Sequence, residues 1–423
     1  MTPELQVPDV PRLGARAALF LFLLALGVRV AAVSVVGFAS VGFGDGRAYL
    51  GAARALARTG HYPVQTDAFF FRAPGYPVFL VLSTFGHPDR IPLAKLGDAT
   101  AGALAAPLLA ALSARLFRRK GLALFTGIAA ALHPSFVLVS TDVQSESPFL
   151  LLLLAAGLLL LAALDRPSSN LAVGAGLLLG LAALTRPSAL AIGILLAAPL
   201  ADRRYPWRAR AHLAASAALG FFLALAPWTL RNAIVFHEFI PISDSFGTAF
   251  YEGNSDSTER FYAVKTRPDY ERWLVEMSQE KMRRLREVDP GGILSPQKRS
   301  RALAELALQD LRRDPREAAL LYLRKTAQWL RPYPTAWYYP LWIVVLVGIY
   351  YSLLYAASLV GLRSAPRPGA ALFCVSLLGL TMIFHILVVP LWRYRVPYWD
   401  PVLLLYGSFG GDKIASRWWL RRP

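Results

Sequence analysis

An aspartate between two glycines, Gly44-Asp45-Gly46, stands a few residues beyond a long apolar block. A carboxylate there can take a proton from an attacking hydroxyl, or bind a divalent cation such as Mg or Mn. An Asp in a Gly-rich turn is common on any surface, so its setting has to single it out. Glu146 is a second acid, with Asp142 one helical turn earlier, both in the short segment 140–148 between two apolar blocks. Acids at the end of an apolar block face water easily; two carboxylate sites from separate loops facing one cavity would suit acid–base work. Arg29 lies inside the first apolar block, where an arginine is costly and tends to face a bundle interior, a polar cavity or the headgroups. Arg72, Arg186, Arg231, Arg393 and Arg395 flank other apolar segments. The fixed fork of a guanidinium suits a phosphate that gains charge as a bond breaks, and serves equally to anchor a helix end.

These residues are strung between blocks whose composition identifies their solvent. Of 423 residues, 55% are apolar and 17% charged. A membrane crossing needs about 20 mostly apolar residues to cover about 30 Å of hydrocarbon. Spans are expected at about 15–37, 91–114, 121–140, 148–164, 171–185, 187–201, 211–230, 337–362 and 368–391, with a tenth at 396–411 that is short and carries Asp400. The expected fold is an all-α polytopic membrane bundle of about ten helices. The first block is too long for the apolar core of a signal peptide and is followed by further spans, so it reads as a retained helix. Segment 73–86, opening Ala73-Pro74-Gly75-Tyr76-Pro77, is too short to cross and reads as re-entrant or interfacial.

Charge orients the chain. With the N-terminus in the cytoplasm, 17 Lys and Arg of the short segments fall inside and nine outside. The clusters Arg115–Lys120 and Arg203–Arg210 would change sides if 73–86 crossed. This topology places two large stretches outside: about 38–90, with a helix expected over 48–58, and about 231–335, which has 18 basic and 15 acidic residues and reads as a small helical domain. Three regions follow: residues 1–230, 231–335 and 336–423, the last with a basic cytoplasmic tail. Asp314-Pro315-Arg316-Glu317 reads as a helix start with a capping box, and the helix after it carries Leu320, Leu321, Leu323, Trp329 and Leu330, as expected of an interfacial helix. Tyr333, Trp337, Tyr338, Tyr339 and Trp342 read as an aromatic belt.

Other chemistries are excluded. Cys374 is the one cysteine, so there is neither an intramolecular disulfide nor a cysteine metal cluster, and the six histidines have no metal-ligand spacing. A net charge of +18 is accounted for by cytoplasmic loops against anionic lipid, without nucleic acid. No GxxxxGK[ST], HExxH or GxSxG motif is present. A transporter or lipid flippase would use Arg29 and Asp45 as a substrate path, but many transporters carry two related halves. Here a dense block of spans is followed by one large loop and two or three more.

The order of motifs resembles a known group. Arg29, Asp45 and Tyr49 are followed by Gly60-His61-Tyr62, then Arg72-Ala73-Pro74-Gly75-Tyr76-Pro77. Ser145-Glu146-Ser147, Leu184-Thr185-Arg186-Pro187, Pro227-Trp228-Thr229-Leu230-Arg231-Asn232 and Arg393-Tyr394-Arg395-Val396-Pro397 come later. This set, across about residues 15–410, resembles bacterial GT-C glycosyltransferases of the dolichyl-phosphate-mannose–protein mannosyltransferase-like and lipid A aminoarabinose-transferase-like group. The resemblance implies an outer cavity among the first seven helices, with Asp45 as catalytic carboxylate and Glu146 as its second acid. Arg29, Tyr49, His61, Arg72, Tyr76, Asp142, Arg186, Arg231, Arg393 and Arg395 are the candidates for substrate binding. It further implies a polyprenyl-phosphate sugar as donor, direct displacement with inversion, and an acceptor hydroxyl on a protein, lipid or glycan. Many members carry an acidic pair in the first loop. Here Gly46 follows Asp45, which favours Asp45 as a base acting without a metal.

Overall fold

The computed structural model describes residues 11, 13–42, 45–65, 71–202, 204–336 and 339–419. Trp337 and Tyr338 of the expected aromatic belt lie outside them. The described elements are helical throughout. α1 (Ala15–Val36) is apolar apart from Arg16, Arg29 and Ser34 and stops at Gly37, whose φ of 101° a side chain would resist. α2 (Gly46–Thr59) is amphipathic and buries Tyr49, Leu50, Ala52 and Ala53. α3 (Gly75–Ser83) has nine residues. At about 1.5 Å per residue it is too short to cross a bilayer, as expected for segment 73–86. α4 (Ile91–Ala103) and α5 (Ala105–Phe117) run on as one 27-residue apolar unit.

Two expected spans take a different form. The block 121–140 is broken into α6 (Lys120–Leu132) and α7 (Pro134–Leu138), with His133 extended between them. A residue before proline avoids the helical region, and Pro134 enforces that here. After α8 (Glu146–Asp165) and α9 (Ser169–Thr185), the block 187–201 forms a 3₁₀ helix over Pro187–Ala197 and a single turn, α10 (Ala198–Ala201), instead of one α-helix. Pro187 and Pro199 remove backbone donors at either end of that stretch. α11 (Trp207–Phe236) has 30 residues and outruns the hydrocarbon.

Five helices follow between the membrane-length helices: α12 (Ser245–Asn254), α13 (Asp256–Phe261), α14 (Arg267–Val288), α15 (Pro296–Arg313) and α16 (Pro315–Leu330). Their core is Tyr251, Leu285, Leu303 and Ala307, and Arg284 forks onto both oxygens of Asp310. Asp314 caps α16 as expected by accepting from the N–H groups of Arg316 and Glu317. The second half of the expected box is not made, because the Glu317 carboxyl meets Glu259. Along α16, Leu321 and Trp329 are buried whereas Leu320, Leu323 and Leu330 stay exposed.

α17 (Leu341–Arg363), α18 (Pro368–Leu387) and α19 (Trp392–Trp419) complete the bundle. Six helices of the described residues are long and apolar enough to cross a membrane, and α6 and α9 are shorter apolar helices. The tenth expected span proves to be the 28-residue α19, buried in protein from residue 395 to 410. Protein rather than lipid surrounds it, so it can carry Arg395 and Asp400. α17 and α19 touch backbone to backbone: a Cβ on Gly361 would come within 1.9 Å of the Tyr406 carbonyl oxygen, and one on Gly410 within 1.9 Å of that of Ala357. Such approach, open only to the smallest residues, replaces the hydrophobic drive that is missing between helices in lipid. α19 is also held in mid-bundle, where Asp400 accepts from Tyr351 at 2.6 Å and lies 3.0 Å from His133 Nε2. At the end away from Asp45, Asp165 closing α8 gathers Arg115 (3.1 Å) and Arg367 (3.3 Å), and Arg119 pairs with Asp412 of α19.

Candidate active site

Asp45 precedes the first turn of α2, and its carboxylate is shared by two arginines that are far from it in sequence. Arg72, ahead of α3, reaches one oxygen at 3.0 Å, and Arg393, in the first turn of α19, reaches the other at 2.9 Å. Arg393 also donates to Gln144 Oε1 at 2.9 Å and has its Nε 3.9 Å from Glu146. Glu146, 1% exposed in the first turn of α8, forms a 2.9 Å ion pair with Arg186, which donates to Ser145 Oγ at 3.0 Å. Arg186 and Arg393 both lie 5.1 Å from the centre of the Tyr394 ring, and Arg72 lies 4.9 Å above that of Tyr49.

The geometry fixes the charge state. Burial raises the pKa of Asp45, but Arg72, Arg393 and Arg186 outweigh it and hold the carboxyl below its ordinary range. The cluster thus contains three guanidinium groups against two carboxylates, an excess of one positive charge on partly buried ground. Asp45 keeps 29% of its side chain accessible. Such a site invites one further anion and has access to receive it.

The donor set does not fit a divalent cation at Asp45. Guanidinium groups already occupy both carboxylate oxygens, and no group of three His, Cys, Asp or Glu fit to hold a metal occurs among the described residues.

Of the twelve residues singled out from sequence, Asp45, Glu146, Tyr49, Arg72, Arg186 and Arg393 come together here. Tyr76 is adjacent: its ring meets Tyr49 edge-on at 4.8 Å, and its hydroxyl donates to Asp98 at 2.7 Å. Asp142 supports the site from below, accepting from the N–H of Gly42 at 3.0 Å and so tying the first outer loop to the segment before α8. Four residues lie elsewhere. Arg29 is fully buried, with Nη1 on the carbonyls of Ala25 (3.0 Å) and Ala131 (3.2 Å). His61 is exposed, its Nδ1 2.7 Å from the Thr59 carbonyl. Arg231 holds the Tyr62 carbonyl at 2.9 Å. Arg395 binds the carbonyls of Trp329 and Arg331 at 3.0 and 2.9 Å, which secures the end of α16.

Gln144, Ser145, Tyr394 and Asp98 escaped the reading of the sequence. Ser145 and Tyr394 adjoin residues already singled out, and Gln144 lies two residues from both Asp142 and Glu146. Asp98 carried its own signal, an acid inside an apolar span.

The described residues form a polytopic helical bundle with a charged site at one end, and known proteins share this fold. Residues 76–230 match the family described as dolichyl-phosphate-mannose-protein mannosyltransferase. Archaeal oligosaccharyltransferase AglB from Archaeoglobus fulgidus, in complex with an inhibitory peptide and a dolichol-phosphate, superposes with a TM-score of 0.55 at 14% identity over 95% of this chain and 50% of its own. The same organism's oligosaccharyltransferase in complex with Zn and sulfate gives 0.55 at 15% identity, over 96% and 50%. ArnT from Cupriavidus metallidurans bound to undecaprenyl phosphate gives 0.43 at 16% identity, over 95% and 79%. No curated protein matches the sequence. The chain shares the fold of these archaeal oligosaccharyltransferases, and it spans about half the length of the proteins it matches.

Proposed function

We propose that this protein transfers a sugar from a polyprenyl-phosphate donor to an acceptor hydroxyl at the extracytoplasmic face of the plasma membrane. One observation carries the reading: Asp45 is shared between Arg72 and Arg393, beside the Glu146–Arg186 pair, with one positive charge in excess. A phosphate with a single ester link to a lipid and another to a sugar carries one negative charge and would balance it. The family match and the dolichol-phosphate bound by AglB support that donor class. The orientation rests on charge: Arg115, Arg119 and Arg367 gather at the end opposite Asp45.

The reaction is a displacement. The acceptor oxygen forms a bond to the anomeric carbon while its proton passes to Asp45. The bond from that carbon to the phosphate oxygen breaks, and its electron pair leaves with the polyprenyl phosphate. Attack opposite the leaving group inverts the anomeric centre. Arg72, Arg393 and Arg186 take up the charge on the phosphate. A carboxylate held by two guanidinium groups is a poor base. An arriving phosphate competes for those same arginines and restores basicity to Asp45, so donor binds before acceptor. Residues 1–230 form the donor module, 231–335 the domain on the acceptor side, and 336–423 close the site through α19.

The test is transfer by purified protein from radiolabelled polyprenyl-phosphate sugars, wild type beside Asp45→Asn, with and without EDTA. Release of polyprenyl phosphate by wild type alone, indifferent to EDTA, is the expected result. Near-normal turnover by the Asn protein would remove Asp45 from the chemistry.

A further inference from the structure

A carboxylate on the connection between α11 and α12 ties the outer domain to the chain beside Arg72. Asp244, only 7% exposed, accepts from the backbone N–H of Phe71 at 2.9 Å. Phe71 is the residue before Arg72, and its ring stacks on Phe236 at 4.8 Å. On the far side of Arg72, the Tyr62 hydroxyl donates to the carbonyls of Arg72 (2.9 Å) and Ala73 (3.3 Å). The connection that carries Asp244 is itself fixed. Trp228 donates to the Ile242 carbonyl at 2.7 Å, Thr229 to that of Pro241 at 2.9 Å, and Asn232 to that of Ile240 at 2.9 Å.

We propose that Asp244 is a positioning residue: by holding the Phe71 N–H it sets the place of the Arg72 guanidinium on Asp45, and so couples the outer domain to the catalytic carboxylate. This rests on the glycosyltransferase reading above. Asp244 touches neither donor nor acceptor, and it acts through the chain at Arg72. Its carboxyl is tuned within the range of physiological pH. Burial is the largest influence and pushes it up to about 7; the Phe71 N–H and Arg299 oppose that, and Glu238 adds to it. As an anion, Asp244 accepts a charge-assisted hydrogen bond; protonated, it accepts a weaker neutral one.

Two pH dependences of opposite sign follow. Turnover should rise as pH increases through 7, because the anion holds Phe71 more firmly. The contribution of Asp244 to fold stability has the other slope. Its folded pKa lies above an unfolded value of about 3.9, so that contribution is fully present below about pH 4 and is lost as pH rises through 7. A purely structural carboxyl would move stability without moving turnover.

The experiment compares full-length wild type, Asp244→Asn and Asp244→Ala between pH 5.5 and 8.5 in three readouts: transfer rate, thermal unfolding, and binding of undecaprenyl phosphate by tryptophan fluorescence. The Ala protein should lose roughly tenfold or more in rate and bind the lipid phosphate more weakly, since the buried Phe71 N–H loses its acceptor. The Asn protein, whose amide oxygen accepts only the weaker neutral bond, should stay near the rate of wild type below pH 7, above that of the Ala protein, and lose the change in turnover near pH 7. An unaltered pH profile in the Asn protein, or wild-type rate and binding in the Ala protein, would overturn the proposal while wild type remains active. Failure of the wild type both to bind and to transfer would overturn the glycosyltransferase reading and this proposal with it.

Discussion

α19 meets the N-terminal half of the chain in two polar clusters, one at its outer start and one in mid-bundle, and they are built to opposite specifications. At the outer start, Arg393 joins two carboxylates and two further arginines, with an excess of charge and an accessible Asp45. In mid-bundle, Asp400, His133 and Tyr351 are closed off from solvent, and Asp400 Oδ2 is held by both partners. Both are expensive to bury. The second is shut off from solvent although Asp400 Oδ1 has no hydrogen-bond partner among the described residues, whereas the first leaves charge over and stays open. Excess charge with access is what separates a ligand site from a polar staple, and a list of charged residues in helices would not have told them apart.

Breaking the first cluster should cost chemistry, and breaking the second should cost the fold. The largest loss is expected from Arg393→Ala, which strips Asp45 and Gln144 of a shared partner. Transfer should fall on the order of a hundredfold, with thermal unfolding close to wild type in the same preparation. Asp400→Ala should do the reverse. It leaves Tyr351 and His133 without their acceptor in a dry interior, a loss of about 2–4 kcal/mol, seen as a lowered unfolding temperature while the folded fraction still transfers. Glu146→Gln sharpens the argument from charge. Arg186 would lose its counterion, so undecaprenyl phosphate should bind severalfold tighter while turnover slows through late release of that product; weaker binding would contradict the charge excess. The smallest change belongs to Asp142→Asn, whose amide oxygen can still accept from Gly42. A rate within about threefold of wild type is expected, and a greater loss would move Asp142 from support to chemistry.

How much of this was legible beforehand depended on the range of the interaction involved. Apolar length located the six helices long enough to cross, because hydropathy over some 20 residues is a local property. The failures were local too: Pro134 breaks a block that composition reads as continuous, and the stretch after Pro187 winds as 3₁₀. Asp45, Glu146 and their arginines were identified by residue type and setting. What sequence could not supply was pairing. Arg393 and Arg395 look alike on paper, two residues apart on α19; one reaches Asp45, while the other turns to the carbonyls at the end of α16. A helix sends successive side chains around its circumference, and only the neighbours decide what each one meets.

The span of 348 residues between Asp45 and Arg393 bears on how the protein is made. Its carboxylate follows α1 and waits for 348 further residues before its second arginine arrives. Until α19 docks against α17 through Gly361 and Gly410, the growing chain holds an incomplete centre. A chain that stops short of α19 would therefore hold the Asp45 carboxylate with one of its two arginines missing.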